Sequence, residues 1–476
     1  MIQPKFTVSG YRGVWGETLN EEIVRRYTRA FAHFLKEDQK SKNPILLIGR
    51  DGRESGLTIR KAVKEELTAQ GIDFIDGDIL PTPTVIFSVR EHKYAGGIII
   101  TASHNPIEYN GLKFVNEKAL FLNEAESEKI NKYCKEARGD ISLGSALGGL
   151  FFSARKFLAK NFLCPLPSLL PRLQKTIPPR SLNSPDFLKE HADRIVQSVD
   201  AEAIRAKKFK VAVDMINASA CALDPYLFEQ LGVELVPLNN IPNGKFAHMP
   251  EPKTENLGEI SNFVKEQGAN LGFAQDPDAD RLVVINEKGE VGYEEHTMAL
   301  AVENVLSKNP GQPVVINLST SRMSRDIAEK YGSPCFMTKV GEPNVVAGII
   351  EHKAIIGGEG NGGVIYPAVN FTRDSFVGIA LILELLAKSG KTASQLTEAL
   401  PKYFIKKEKW PLREEVRNIC ARMKAYFSTA SSIEIDGICL EFPDGAWLHL
   451  HPSNTEQIFR LYGEATAKES IEALFA

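Results

Sequence analysis

Apolar and polar positions along this chain change their period repeatedly. Ile45-Leu46-Leu47-Ile48-Gly49 and Gly97-Ile98-Ile99-Ile100 are short unbroken apolar runs, the pattern of buried strands. Residues 21–36 instead place Ile23, Val24, Tyr27, Phe31, Phe34 and Leu35 at helical spacing. A further strand is predicted over 74–79, with a helix between it and Gly97-Ile98-Ile99-Ile100. Strands and helices in alternation are βαβ grammar, which predicts a mostly parallel sheet.

The grammar restarts at Lys210-Val211-Ala212-Val213-Asp214. A helix over 224–231, a strand over 233–237, a helix over 256–267 and a strand over 271–274 follow. It restarts again at Val314-Val315-Ile316-Asn317, with a helix over 324–330, a strand over 354–356 and a long helix over 375–388. Recurrence of one unit predicts a weak internal repeat. The C-terminal stretch differs. Residues 433–438, 447–450 and 458–462 alternate like antiparallel strands, and 468–474 reads as a short helix. The expected fold class is α/β: three similar domains with mixed, mostly parallel sheets and a smaller C-terminal α+β domain. The expected boundaries are 1–150, 186–300, 301–402 and 403–476. Pro165, Pro167, Pro171, Pro178, Pro179 and Pro185 prevent residues 164–185 from forming one regular element, so a connection or insertion is expected there.

Composition narrows the class. A chain of 476 residues has room for about three domains of roughly 150 residues. Its 43% hydrophobic and 25% charged content is that of an ordinary globular protein. A net charge of −3, with no long basic block, argues against nucleic acid as a partner. Six cysteines (134, 164, 221, 335, 420 and 439) are scattered without metal-ligand spacing or a CxxC, so reduced, packed thiols are expected. Met1-Ile2-Gln3-Pro4-Lys5-Phe6 lacks a signal-peptide core, and the apolar run 378–387 is too short to span a bilayer. A cytoplasmic protein without a membrane partner is expected; the oligomeric state is not legible.

The candidate chemistry lies in loops. Thr101-Ala102-Ser103-His104-Asn105-Pro106 follows a buried strand. Ligands of open α/β sheets bind at the carboxyl ends of strands. A hydroxyl nucleophile beside a proton carrier at that place suits covalent transfer chemistry. Taken alone, Ser-His-Asn-Pro is equally a turn that stops a strand. Asp276-Pro277-Asp278-Ala279-Asp280-Arg281 also follows a strand, and its three carboxylates at i, i+2 and i+4 can converge on a hard cation such as Mg²⁺. An EF-hand competes, with Glu287 at loop position 12, but Arg281 stands where that loop needs glycine.

Three further segments add ligands. Gly357-Gly358-Glu359-Gly360-Asn361-Gly362-Gly363 allows close backbone approach, with Glu359 and Asn361 offered to sugar hydroxyls. It fits neither a dinucleotide fingerprint nor a P-loop. His451-Pro452-Ser453-Asn454-Thr455-Glu456 can cradle a phosphate or form a polar hairpin loop. In Ser9-Gly10-Tyr11-Arg12-Gly13, Arg12 can neutralise a phosphate or face solvent, and Lys113 has the same two readings.

Together and in this order, these segments resemble the α-D-phosphohexomutase superfamily along nearly the whole chain. The resemblance implies four domains around a central cleft. It implies Ser103 carried as phosphoserine, with Asp276, Asp278, Asp280 and a phosphoserine oxygen holding Mg²⁺. Arg12, His104 and Lys113 assist phosphoryl and proton transfer, and Arg281 supports the site. Glu359 and Asn361 match the sugar-reading loop; Ser453, Asn454 and Thr455 match the loop for the non-reacting phosphate. The implied reaction interconverts hexose 1-phosphate and 6-phosphate through a bisphosphate, with hexose 1,6-bisphosphate as activator.

Departures mark this chain. Asn361-Gly362-Gly363 stands where many members have Ser-Gly-His. His451 and Gln457 replace an arginine and a proline, which weakens the phosphate grip unless Arg460 compensates. Asp214-Met215-Ile216-Asn217-Ala218-Ser219 lacks a glycine common in relatives. The sugar loop together with Val340-Gly341-Glu342-Pro343-Asn344-Val345 is most similar to a phosphoglucosamine-mutase-like subgroup. Glucosamine phosphate is therefore the first substrate expectation. Mannose or glucose phosphates are the alternative; a sugar-phosphate phosphatase and a non-catalytic sugar-phosphate binder are further readings.

Overall fold

The computed structural model describes residues 6–136, 186–411, 415–453 and 458–476. The proline-rich segment, Asn454, Thr455 and Gln457 lie outside them. Among the described residues, eighteen strands form four sheets. The first sheet contains β1 (Tyr11–Val14), β2 (Ile45–Arg50), β3 (Asp73–Ile79), β4 (Gly96–Ile100) and β5 (Tyr109–Val115). The second contains β6 (Lys210–Asp214), β7 (Glu234–Leu238), β8 (Leu271–Gln275) and β9 (Leu282–Asn286). The third contains β10 (Val314–Asn317), β11 (Cys335–Thr338), β12 (Ile356–Glu359) and β13 (Gly363–Ile365). The last contains β14 (Phe404–Pro411), β15 (Ser431–Ile433), β16 (Ile438–Glu441), β17 (Trp447–Pro452) and β18 (Ile458–Ala465).

The internal repeat is a repeat of topology. The orders β3-β2-β4-β5, β7-β6-β8-β9 and β11-β10-β12-β13 are one arrangement, and β1 adds an edge to the first. In each, the first three strands pair parallel and the fourth turns back antiparallel on the third. An isolated antiparallel bridge follows each fourth strand: Val115–Phe121, Ile285–Val291 and Ile365–Arg373. The three chemistry-bearing loops, 101–108, 276–281 and 360–362, therefore occupy one topological position, between the third and fourth strands of each unit. The fourth sheet, β14-β18-β17-β16-β15, is antiparallel throughout.

Packing follows the sequence pattern. Along β2, Leu46 and Ile48 enter one apolar cluster and Leu47 enters another, so both faces of the first sheet are covered. Fully burying such a side chain contributes about 1.5–3 kcal/mol. The helix Glu21–Glu37 begins at Asn20, whose side chain accepts from the Ile23 N–H, and buries Phe31 against Phe114 with ring centroids 4.3 Å apart. The helix Ser375–Ser389 is apolar on nearly all sides and is buried accordingly, in a core shared by the second and third units. No helix among the described residues is long and apolar enough to cross a membrane.

Several local expectations shift. Residues 433–438 are not one strand: Gly437 at φ +64 turns the chain between β15 and β16. The strand expected over 354–356 runs instead through Glu359, because glycines 357 and 358 pair in the ladder. Strand β14 had no alternating apolar signal; it is an exposed edge carrying Lys406, Lys407 and Lys409, residues that discourage edge-to-edge pairing. At the start of the second unit, Ile216 and Asn217 adopt φ +46 and +53 where a glycine would be unstrained.

Candidate active site

The strand β4 delivers Ser103 to a buried corner. Ser103 is 1% exposed and adopts φ +49. Its Oγ donates to Asp276 Oδ2 at 2.8 Å and lies 3.4 Å from His104 Nδ1. Two loops that are distant in sequence thus meet at the serine hydroxyl. Burial lowers the His104 pKa well below its usual value, and Arg281, Arg12 and Arg373 push it the same way, so the imidazole is neutral.

Asp276, Asp278 and Asp280 are all buried, and each offers a carboxylate oxygen within 4.8 Å of the others. Asp276 Oδ1 accepts the N–H groups of Asp280 and Arg281 at 3.0 and 3.1 Å, which folds the loop back on itself. Asp278 Oδ2 accepts from Lys113 Nζ at 2.7 Å and from Thr82 Oγ1 at 2.7 Å. Asp280 Oδ2 accepts from Arg373 Nη2 at 2.5 Å. The Oδ1 atoms of Asp278 and Asp280 are buried and accept no hydrogen bond among the described residues. Hard oxygen donors converging with unsatisfied lone pairs fit a small divalent cation.

The charges respond to this crowding. Burial raises the Asp276 carboxyl well above the carboxylate range, and the neighbouring Asp280 and Asp278 charges raise it further. Burial would also raise Asp278, but Lys113 and Thr82 reverse the shift and hold it below its usual value. A cation bound by these oxygens would favour the ionised carboxylate and lower the Asp276 pKa again.

Arg12, on β1, donates through Nη1 to Asn105 Oδ1 at 2.9 Å, and its buried Nε has no hydrogen-bond partner among the described residues. Burial lowers its pKa, and repulsion by Arg281 and Arg373 adds to that shift. Arg281 Nη1 reaches Glu251 at 3.5 Å. A cationic rim thus borders the serine and aspartate loops.

Glu359 is tied down more firmly than a free sugar ligand. Its Oε1 accepts from Asn317 Nδ2 at 2.8 Å and the Gly341 N–H at 3.0 Å; its Oε2 accepts from Arg373 Nη1 at 2.9 Å. Asn361 Oδ1 has no hydrogen-bond partner among the described residues, so this loop presents an acceptor through Asn361 as well. Ser453 closes the β17–β18 hairpin by donating its N–H to the Ile458 carbonyl at 2.9 Å. His451 is buried and stacks on His449 at 4.8 Å; burial, with His449 and Arg460 nearby, lowers its pKa to about 3. It is neutral and supplies no charge for a phosphate. Arg460 pairs directly across from it on β18.

Ser103, His104, Arg12, Lys113, the three aspartates and Arg281 are thus neighbours, and Arg373 links them to Glu359. Sequence reasoning missed Arg373, Glu342, Thr82, Asp51 and Arg53. Arg373 Nε also donates to Glu342 Oε2 at 3.2 Å, so one guanidinium joins the aspartate loop, the Glu359 loop and the start of the helix Glu342–His352. The only signal for Asp51 and Arg53 was their place at the carboxyl end of β2.

Comparison with known proteins agrees with this architecture. Models described as phosphoglucomutase/phosphomannomutase α/β/α domains I, II and III match residues 3–139, 189–289 and 293–404. The chain is 34% identical to a phosphoglucomutase/phosphomannomutase of Thermococcus kodakarensis, over 98% of this chain and 95% of that protein. It is 31% identical to a phosphoglucosamine/phosphogalactosamine mutase of Sulfurisphaera tokodaii, over 97% of this chain and 95% of that one. A crystal structure of a phosphoglucomutase/phosphomannomutase family protein from Burkholderia thailandensis superposes with a TM-score of 0.80 at 27% identity, covering 100% of this chain and 96% of that one. On whole-chain sequence and fold together, this chain belongs to the phosphoglucomutase/phosphomannomutase family of the α-D-phosphohexomutase superfamily and is a phosphohexomutase, an isomerase.

Proposed function

We propose that the chain interconverts glucosamine 1-phosphate and 6-phosphate through phospho-Ser103 and a bound hexose 1,6-bisphosphate. The 2.8 Å contact of Ser103 Oγ with Asp276, beside the Lys113–Asp278 ion pair at 2.7 Å, supports the phosphoserine cycle, and the 31% identity to a phosphoglucosamine/phosphogalactosamine mutase supports the glucosamine substrate. A serine with those neighbours is built to hold a phosphoryl group, because a phosphoserine carries roughly −1.5 to −2 charge that cations must offset. Asp276, Asp278 and Asp280 would hold Mg²⁺, which would supply part of that offset, with Lys113 and Arg12 contributing the side-chain cations.

In the first half, the phosphoryl group leaves Ser103 Oγ and forms its new P–O bond with the free hydroxyl of the hexose monophosphate. The hydroxyl proton passes to a base beside the serine, the role this reading gives to His104. The bisphosphate then turns over. In the second half, Ser103 Oγ takes the other phosphoryl group, and the proton returns to the sugar oxygen released. Phosphoryl transfer is chiefly positioning and charge stabilisation, which is what these residues provide. Glu359 and Asn361 read the sugar, with Arg281 alongside, and Ser453, Asn454 and Thr455 hold the phosphate that does not react. The four units would divide near 1–150, 186–300, 301–402 and 403–476 and act as one cytoplasmic enzyme.

The identity to a phosphoglucomutase/phosphomannomutase supports a second substrate reading, glucose or mannose phosphate. A coupled assay with the 1-phosphates of glucosamine, glucose and mannose, each with its bisphosphate and Mg²⁺, separates the two. The highest kcat/KM is expected for glucosamine 1-phosphate. A higher value for glucose or mannose 1-phosphate assigns the second reading. Free phosphate released without isomer would instead mark a phosphatase.

A further inference from the structure

Arg53 is a fully buried side chain at 0% exposure, just beyond the end of β2. A guanidinium carries five N–H donors in a fixed plane. Every one of them is used. Nε donates to Asp51 Oδ2 at 3.0 Å. Nη1 donates to the carbonyls of Pro106 and Tyr109 at 2.6 and 2.8 Å. Nη2 donates to the carbonyls of Ser103 and Asn105 at 2.7 and 2.6 Å. Four of the acceptors therefore belong to the serine loop and the first residue of β5. The ring of Phe246, from the second unit, covers the guanidinium face at 4.8 Å.

A second path reaches the same serine. Asp51 Oδ2 also accepts from Thr101 Oγ1 at 2.7 Å, and Thr101 Oγ1 accepts the Ser103 N–H at 2.8 Å. Both backbone polar groups of Ser103 are thus tied to the Asp51–Arg53 pair. Such restraint matters at Ser103, because φ +49 is a left-handed conformation that costs a side-chain-bearing residue energy, and these bonds hold it there.

We propose that Arg53 is a positioning residue for the phosphoryl carrier. It clamps the backbone of the 103–109 loop, so that Ser103 Oγ keeps one direction while its charge changes through the cycle. The inference rests on the reading of Ser103 as that carrier. Arg53 touches neither Oγ nor the three aspartates, so it acts through loop geometry alone. A lysine keeps the charge but concentrates three donors on one atom and cannot reach acceptors spread around a plane. Thr101 belongs to the same restraint, and its hydroxyl can be removed with little change of shape.

Steady-state kinetics of full-length, Mg²⁺-supplied Arg53→Lys and Thr101→Val, with hexose 1,6-bisphosphate present, test the clamp. A displacement of about 1 Å in a reacting group costs on the order of 100-fold. The expectation is a kcat loss of about that size for Arg53→Lys and about 10-fold for Thr101→Val, with KM and Mg²⁺ affinity within about threefold of wild type. If Arg53→Lys does not fold, Thr101→Val decides alone. A folded variant whose kcat stays within about threefold of wild type, or whose loss lies only in KM, overturns the proposal. Ser103→Ala is run alongside: turnover surviving there sinks the carrier assignment, not the clamp.

Discussion

Arg373 Nη2 donates to Asp280 Oδ2 at 2.5 Å, and both side chains are buried. The same guanidinium holds Glu359 and Glu342. Three acidic groups therefore share one cation, and their charges raise the Arg373 pKa well above its usual value although burial opposes them. The sheet repeat explains the placement, since Arg373 lies in the bridge that follows β13, the fourth strand of its unit.

Removing that cation should be severe. Arg373→Met leaves buried carboxylates without their partner, a change that costs about 3–5 kcal/mol. Arg373→Lys should lose less, because a charge remains. Urea unfolding of the two variants checks the order. Equal stability of Arg373→Met and wild type would show that the carboxylates are served by other groups.

Binding of Mg²⁺ should release a proton. Burial and then the charges of Asp280 and Asp278 raise the Asp276 pKa, and a ligand carboxylate must ionise to bind. Mg²⁺ affinity should therefore increase with pH. Calorimetric titrations in two buffers of different ionisation enthalpy measure the released proton. Heats that do not depend on the buffer would contradict the assignment.

His248 lies 3.0 Å from Asp214 Oδ2 through its Nε2. Burial works against its charge, but the Asp214 carboxylate outweighs it and leaves the pKa above 6.5. A raised folded-state pKa stabilises fully below the unfolded value and loses that contribution as pH rises through the folded value. The stability difference between wild type and His248→Gln should therefore be largest below pH 6.5 and shrink above it. Denaturant titrations across pH 5.5–9 (roughly the span on either side of an ordinary histidine pKa) follow it. A difference independent of pH would remove the ion pair from the account.

Lys208 and Lys353 end helices at φ +50 and +52, and both are exposed. Glycine takes this conformation without the Cβ penalty. Lys208→Gly and Lys353→Gly should each raise stability by up to about 1 kcal/mol, read as a higher Tm with activity unchanged. A lower Tm would mean that the lysine side chains contribute more than the strain removes.

Ser103 and the aspartate triple were legible because each is a short pattern after a buried strand. The three-fold recurrence was legible as grammar, since apolar runs and helical periods restart at Lys210 and Val314. The partners that shape the site were not. Arg53 reaches carbonyls of residues 103–109, and Arg373 reaches Asp280, across 50 to 93 positions of sequence. Neither carries a local pattern that separates it from a surface arginine. Strand β14 stayed hidden because an exposed, lysine-bearing edge has no apolar alternation. Glu359 read as a sugar ligand from its loop alone; that Asn317, the Gly341 N–H and Arg373 would orient its carboxylate had no local sign.

Every part of the proposed cycle passes through one oxygen, Ser103 Oγ. The most direct measurement is peptide mass spectrometry after incubation with hexose 1,6-bisphosphate and Mg²⁺, paired with turnover of Ser103→Ala. One phosphoryl group on Ser103, and loss of isomerisation in Ser103→Ala, are the expected results. A phosphoryl group on another residue, or near-wild-type turnover without the Ser103 hydroxyl, would contradict the assignment of Ser103 as the carrier.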